Sequence, residues 1–222
     1  MAFERLDYGH PLDHAFTLAF KMTDDWSEPW SARFVRFKDK DEKALYGAAK
    51  VLKPAVPALF SALKLNLGRT VIVPALSSAE RAADPKRNIP RLATVLSKEV
   101  GCGLDMTSVT KDPHPSLHKV AAGDRISTLE KANYAATAID ADVVVILDDF
   151  ITQGATLAIT ARKLKAANPK LAVLGAALGK TERRGYWNER GVQISNDHVP
   201  NEWDGLWLEG EQFYANKVKT GA

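Results

Sequence analysis

The stretch Val143-Val-Val-Ile-Leu-Asp148-Asp149-Phe-Ile-Thr152-Gln-Gly154-Ala-Thr156-Leu157 decides how the rest of this chain is read. Val143 to Leu147 is an unbroken apolar, mostly β-branched run, as expected of a strand buried on both faces of a parallel sheet. A helical pattern over 155–167 follows at once, so the loop between them lies at the carboxyl edge of the sheet. There the backbone N–H groups and hydroxyls from Thr152 to Thr156 can face an anion, with the positive end of the helix dipole behind them. Gly154 lets the backbone come close to that anion. The acids that end the strand admit two readings: ligands for a polar substrate, or a solvated cap on the next helix.

Working outward, Thr70-Val-Ile-Val-Pro74 reads as the first core strand, and 88–100 as an amphipathic helix with Leu92, Val95, Leu96 and Val100 on its apolar face. Further strands are expected at 104–108 and 171–178. From 41 to 65 the spacing of Leu45, Ala48, Leu52, Leu59 and Leu63 predicts helix, interrupted near Pro54 and Pro57. The alternation in Ala32-Arg-Phe-Val-Arg-Phe37 predicts a strand or hairpin. Strands alternating with helices place the chain in the α/β class, with a central, mainly parallel sheet flanked by helices. We find no repeat or linker, and read 1–222 as a single domain with its core at about 41–180; 1–40 and 181–222 are small appended regions.

Composition sets limits on function. The chain has 222 residues, enough for a full core, and 30 Lys and Arg against 27 Asp and Glu give a formal charge of +3. That mild excess makes no electrostatic claim on nucleic acid, although Lys180, Arg183 and Arg184 form a local basic group that either attracts phosphates or stays solvated. Cys102 is the only cysteine, which excludes an internal disulfide and a cysteine-based zinc cluster. The first residues lack the apolar core of a signal peptide, and no apolar run is long enough to span a bilayer, so a cytoplasmic protein without membrane contact is expected.

The stretch at 143–157 resembles the 5-phosphoribosyl-1-pyrophosphate (PRPP) motif of type I phosphoribosyltransferases: apolar residues, two acids, two apolar residues, then a short polar loop with Gly and Thr. The resemblance implies that Asp148 and Asp149 hold the ribose hydroxyls, and that Thr152, Gln153, Gly154, Ala155 and Thr156 wrap the 5′-phosphate. It also implies the fold of that family, with a small hood built from the terminal regions. Two departures stand out. Gln153 occupies a position where many members have Thr, and Thr152 stands where members specific for 6-oxopurines carry an acid, which argues against hypoxanthine or guanine salvage.

Other segments gain candidate roles from the same resemblance. Ser77 and Ser78, just past the first core strand, stand where the family binds pyrophosphate, with Arg81 beyond them; a Ser cap on a helix is the competing reading. The segment from Thr110 to Arg125 is long, with two prolines and several cations, and a loop of that kind is disordered or functional. In the family it closes over the site, which makes Lys111, His118, Lys119 and Arg125 the candidates to face the leaving pyrophosphate. Its Ser116-Leu-His118-Lys119-x₅-Arg125 spacing looks like the ComF branch, a group linked to DNA uptake, without that branch's zinc module or its usual Gln.

Among the aromatic residues at the C-terminal end, Tyr186, Trp187, Trp203, Trp207, Phe213 and Tyr214 either stack on an acceptor base or fill a minor core or dimer contact. Asn196-Asp197-His198 reads as a structural turn ahead of a metal site. The resemblance implies a Mg2+-dependent enzyme transferring phosphoribosyl from PRPP to a nitrogenous acceptor and working as a homodimer. Magnesium would be held through PRPP and water, with Asp148 and Asp149 as its possible protein contacts. A non-catalytic PRPP- or nucleotide-binding protein of the same fold, regulatory or associated with DNA uptake, is the alternative.

Overall fold

A computed structural model describes residues 11–220. Five strands form one sheet in the order β1 (His14–Met22), β7 (Ala172–Glu182), β6 (Val143–Ile151), β2 (Thr70–Pro74) and β3 (Gly103–Leu104), and every neighbouring pair is parallel. Parallel neighbours need crossovers. Helix α3 (Asn88–Val100) supplies the one from β2 to β3, and α5 (Ala155–Ala167) the one from β6 to β7. A two-stranded antiparallel ribbon, β4 (Val109–Thr110) with β5 (Ala135–Ala136), flanks α4 (Arg125–Lys131).

β6 is central because its side chains serve two cores. Val143, Val145 and Leu147 pack with residues of α1 (Pro29–Lys38), α2 (Glu42–Ala62), α3 and α7 (Glu202–Thr220), while Val144 and Ile146 pack with α5 on the opposite face. The two-residue period of a strand sends alternate residues to opposite layers, and both layers are covered. The helices after β2 and β6 therefore lie on opposite faces, which opens a crevice at the carboxyl ends of these adjacent strands.

Several sequence-based expectations are corrected. Residues 32–37 are helical, within α1, because Glu28 caps that helix: its carboxylate accepts from the backbone of Trp30 at 3.1 Å and of Ser31 at 2.6 Å. Pro29 follows at a first-turn position, and Trp30, Phe34 and Phe37 are buried at helical spacing. α2 runs unbroken through Pro54 and Pro57; Pro54 is exposed and Pro57 half-buried, while Val51, Leu52, Val56 and Phe60 keep the inner face filled. The strand expected at 104–108 is only the two-residue β3, since Asp105 turns the chain by accepting from the backbone of Thr107 and Ser108. Val95 is exposed and not on the buried face of α3. β1 has no counterpart among the expected strands, and it carries the main sheet into residues 14–22.

Candidate functional site

The crevice between β2 and β6 opens into a cleft of about 570 Å³. Its floor is made by strand geometry. β2 makes its last pairing with β6 at Leu147, yet β6 continues alongside β7 as far as Ile151. Asp148 and Asp149 lie on that overhang. Each carboxylate turns back to the backbone, Asp148 accepting from the Asp149 N–H at 2.8 Å and Asp149 from the Phe150 N–H at 2.7 Å. Burial, then the adjacent Asp149, push the Asp148 carboxyl well above the usual carboxylate range. Such a pair suits hydroxyl donors or a cation.

Next to the acids, Thr152, Gln153, Gly154, Ala155 and Thr156 all line the cleft. Gly154 takes φ 75°, a left-handed backbone that turns the chain from strand into α5. Gly154 at the N-cap has no side chain to cap α5, so the first N–H groups of the helix suit an anion in the cleft. Gln153 is not idle: its Oε1 accepts from Arg125 Nη1 at 3.1 Å. That contact ties α4 to the phosphate-sized loop.

Ser77 and Ser78 form the facing wall. No helix begins at them, which removes the reading of a helix cap. The Ser77 hydroxyl accepts from Arg87 Nη1 at 3.0 Å, and the Ser77 N–H donates to Glu80 at 2.6 Å. Glu80 thus occupies a backbone donor that an incoming anion would also use.

Of the three candidates in the 110–125 segment whose side chains are described, the structure brings Arg125 into the cleft wall. Lys111 is buried; its ammonium donates to the backbone carbonyls of Ser78 at 3.0 Å and Glu80 at 2.8 Å, pinning the Ser77–Ser78 loop from behind. Burial lowers its pKa to about 8 against the opposing pull of Glu80 and Asp112. Lys119 is exposed and does not line the cleft, and the side chain of His118 lies outside the described residues. Arg81 is spent on an ion pair with Asp112 at 2.8 Å. At the far end of β7, Lys180 pairs with Glu182 and Arg184 with Asp25.

None of the six aromatic residues of the C-terminal region lines the cleft. Trp207 is fully buried against Trp30 and Phe34, and the rings that do face the cleft belong to Phe37 and Phe150. Asn196 holds the backbone of Phe20 through both ends of its amide and also binds Glu28, a structural role. No three His, Cys, Asp or Glu among the described residues are placed to hold a metal.

The structure adds cleft residues that sequence reasoning missed: Lys21, Lys38, Lys40, Lys86, Arg87 and His114. The His114 Nδ1 lies 2.8 Å from the Pro115 carbonyl, so that nitrogen carries the proton; the buried Nε2 has no hydrogen-bond partner among the described residues. Burial lowers the pKa of this ring, which keeps it neutral. Lys21 did leave a signal, as a cation ending an otherwise apolar run, His14-Ala-Phe-Thr-Leu-Ala-Phe-Lys21-Met.

No family model matches the chain, and no curated protein matches it. Among solved structures, the chain is similar to a hypoxanthine phosphoribosyltransferase from Staphylococcus aureus, at 13% identity and a TM-score of 0.37, over 64% of this chain and 74% of that one. It is also similar to the UMP synthase of Leishmania donovani, at 15% identity and a TM-score of 0.33, over 75% of this chain and 29% of that one. The α/β assignment stands on the sheet itself, five parallel strands with helices on both faces. No helix among the described residues is long and apolar enough to cross a membrane.

Proposed function

We propose that this chain is a phosphoribosyltransferase that takes its donor, PRPP, in the cleft between β2 and β6. One observation carries the reading: the Asp148-Asp149 pair, the loop from Thr152 to Thr156 and the Ser77–Ser78 wall converge on one cavity at the switch point of a parallel sheet. The 5′-phosphate would sit on the N-terminus of α5, the ribose hydroxyls on Asp148 and Asp149, and the pyrophosphate against Ser77, Ser78, Arg87 and Arg125.

The chemistry asks for such a layout. As a nitrogen nucleophile attacks C1, the bond to pyrophosphate breaks, positive charge builds on the ribose ring and negative charge on the leaving oxygens. Carboxylates beneath the sugar orient it and tolerate the ring charge, and guanidinium groups stabilise the leaving group. Magnesium fits as an ion carried by the pyrophosphate, because the described residues offer the Asp148-Asp149 pair and no closed metal cage. When bound, it would neutralise charge on the phosphate oxygens.

A non-catalytic, PRPP-binding reading has one observation in its favour: Lys111 is committed to the Ser78 and Glu80 carbonyls, and so is withdrawn from the pyrophosphate. Calorimetric titration with PRPP, with and without magnesium, tests the donor site. Magnesium-dependent binding that disappears in the Asp148→Asn/Asp149→Asn variant is expected; a wild-type protein that does not bind PRPP would sink the proposal. Pyrophosphate release with a nitrogenous acceptor, lost in Asp149→Asn, would then remove the non-catalytic reading.

A further inference from the structure

The cleft has a second wing that the donor does not use. On the side of β6 away from β2 lie β7 and then β1, and here the lining residues are Lys21, Thr181, Phe37, Lys38 and Phe150. Lys21 is unusual. It is only 8% exposed, and its ammonium makes no hydrogen bond or ion pair among the described residues. It rests between two rings, 5.1 Å from the centre of Phe150 and 5.7 Å from that of Trp26. Cation–π contact recovers part of the lost hydration, not all of it.

The surroundings keep Lys21 where it is. On one side of it the Phe20 backbone is held by the Asn196 amide at 2.6 and 3.0 Å. On the other, the Met22 N–H donates to the buried Ser31 hydroxyl at 2.7 Å, and Ser31 is held in turn by Glu28. Lys38 adds a second positive charge from the last turn of α1. Burial and the charge on Lys38 both lower the Lys21 pKa, while Asp149 pulls it up. A cation placed in this way, partly desolvated and without a hydrogen-bonded counter-ion, gains most when an anion arrives to pair with it.

We propose that this wing, built on Lys21 with Lys38 beside it, binds the acceptor through a negative charge, so that the acceptor is a nitrogen heterocycle bearing a carboxylate. The inference rests on the phosphoribosyltransferase reading for the word acceptor, but the anion site stands on its own geometry. A planar carboxylate matches the place: the half-buried Phe150 ring lines the cleft as an apolar surface for a flat ligand, and Lys21 and Lys38 receive its charged edge. Asp149, one of the two acids assigned to the ribose, lines the same cleft and attracts Lys21, which would set the heterocycle beside C1.

Pyridine- and pyrimidine-carboxylates, each paired with its neutral carboxamide, are the probes. Their binding is followed by ligand-observed NMR in wild type, Lys21→Met and Lys21→Arg, with PRPP calorimetry on the same proteins. Carboxylates are expected to bind and carboxamides not; Lys21→Met should lose carboxylate binding by tenfold or more, Lys21→Arg should keep it, and PRPP affinity should change far less than carboxylate affinity. Removal of an unpaired buried charge should also leave Lys21→Met no less heat-stable than wild type, which separates loss of the site from loss of the fold. Carboxylates that fail to bind wild type, bind Lys21→Met as well, or bind no better than the carboxamides would overturn the anion site. If PRPP fails to bind while carboxylate binding still depends on Lys21, the phosphoribosyltransferase reading falls and the anion site survives.

Discussion

Asp148 shows at the scale of one residue how a binding site and a stable fold make opposing demands. Its carboxyl pKa is raised in the folded protein, first by burial and then by Asp149. Between the ordinary carboxylate value and the raised one, the native state holds a proton that the unfolded chain has lost. Stability therefore falls as pH rises through that window. Asn at this position keeps an acceptor for the Asp149 N–H and brings an amide donor to the Asp149 carboxylate. Asp148→Asn should thus melt higher than wild type at neutral pH, with the difference vanishing toward pH 4, while PRPP affinity falls about tenfold, the scale of one lost neutral hydrogen bond. Thermal melts across pH beside calorimetry check both halves. A variant that loses stability at neutral pH would show that the native state prefers the charged carboxylate.

At the scale of elements, the most demanding contact is far from the cleft. α7 crosses α2 so closely that a Cβ on Gly210 would strike the Tyr46 carbonyl, and one on Gly47 would fall 2.7 Å from the Trp207 ring. Small residues at the crossing let Trp207 enter the core that α1 and α2 share, with its indole N–H donating to Glu211 at 2.7 Å. Gly210→Ala should cost about 1–3 kcal/mol by overpacking, read as a lower urea midpoint at unchanged slope. An unchanged midpoint would mean that α7 slides on α2 without loss. The sequence exposes such elements unevenly. α3 is legible at 88–100 because its buried residues fall at helical spacing, and α5 at 155–167 because it follows directly on a buried strand and a glycine turn. α1 is hidden because the short alternation at 32–37 competes with the Trp30, Phe34, Phe37 spacing, and the Glu28 cap that settles it lies just upstream. β1 is hidden because its partner β7 is about 160 residues away and both of its faces are buried in part, which erases the two-residue pattern. The candidate site divides along the same line. Asp148, Asp149 and the loop from Thr152 to Thr156 are contiguous and readable, while Lys21, Lys38 and Arg87 reach the cleft only through β1, α1 and the segment before α3.

For the molecule as a whole, charge is distributed in a way that composition conceals. The formal charge is only +3, from 30 bases and 27 acids. Among the described residues, the cleft lining holds Lys21, Lys38, Lys40, Lys86, Arg87 and Arg125 against Glu80, Asp148 and Asp149, which is the same excess. The rest of the chain is therefore formally neutral, and the field of the protein is concentrated at its concave site. Low-dielectric walls focus such a field on an incoming polyanion, and mobile ions screen it over about 10 Å at 0.1 M salt and about 3 Å at 1 M. Inorganic pyrophosphate should accordingly bind about tenfold more weakly at high than at low salt, whereas the melting temperature, which rests on two apolar cores, should change little. Isothermal titration at several salt concentrations, with thermal melts in the same buffers, measures both. Salt-independent pyrophosphate binding would mean that the cleft cations are already neutralised by the protein's own carboxylates, Glu80 on the Ser77 amide foremost, and Glu80→Gln should then restore the salt dependence.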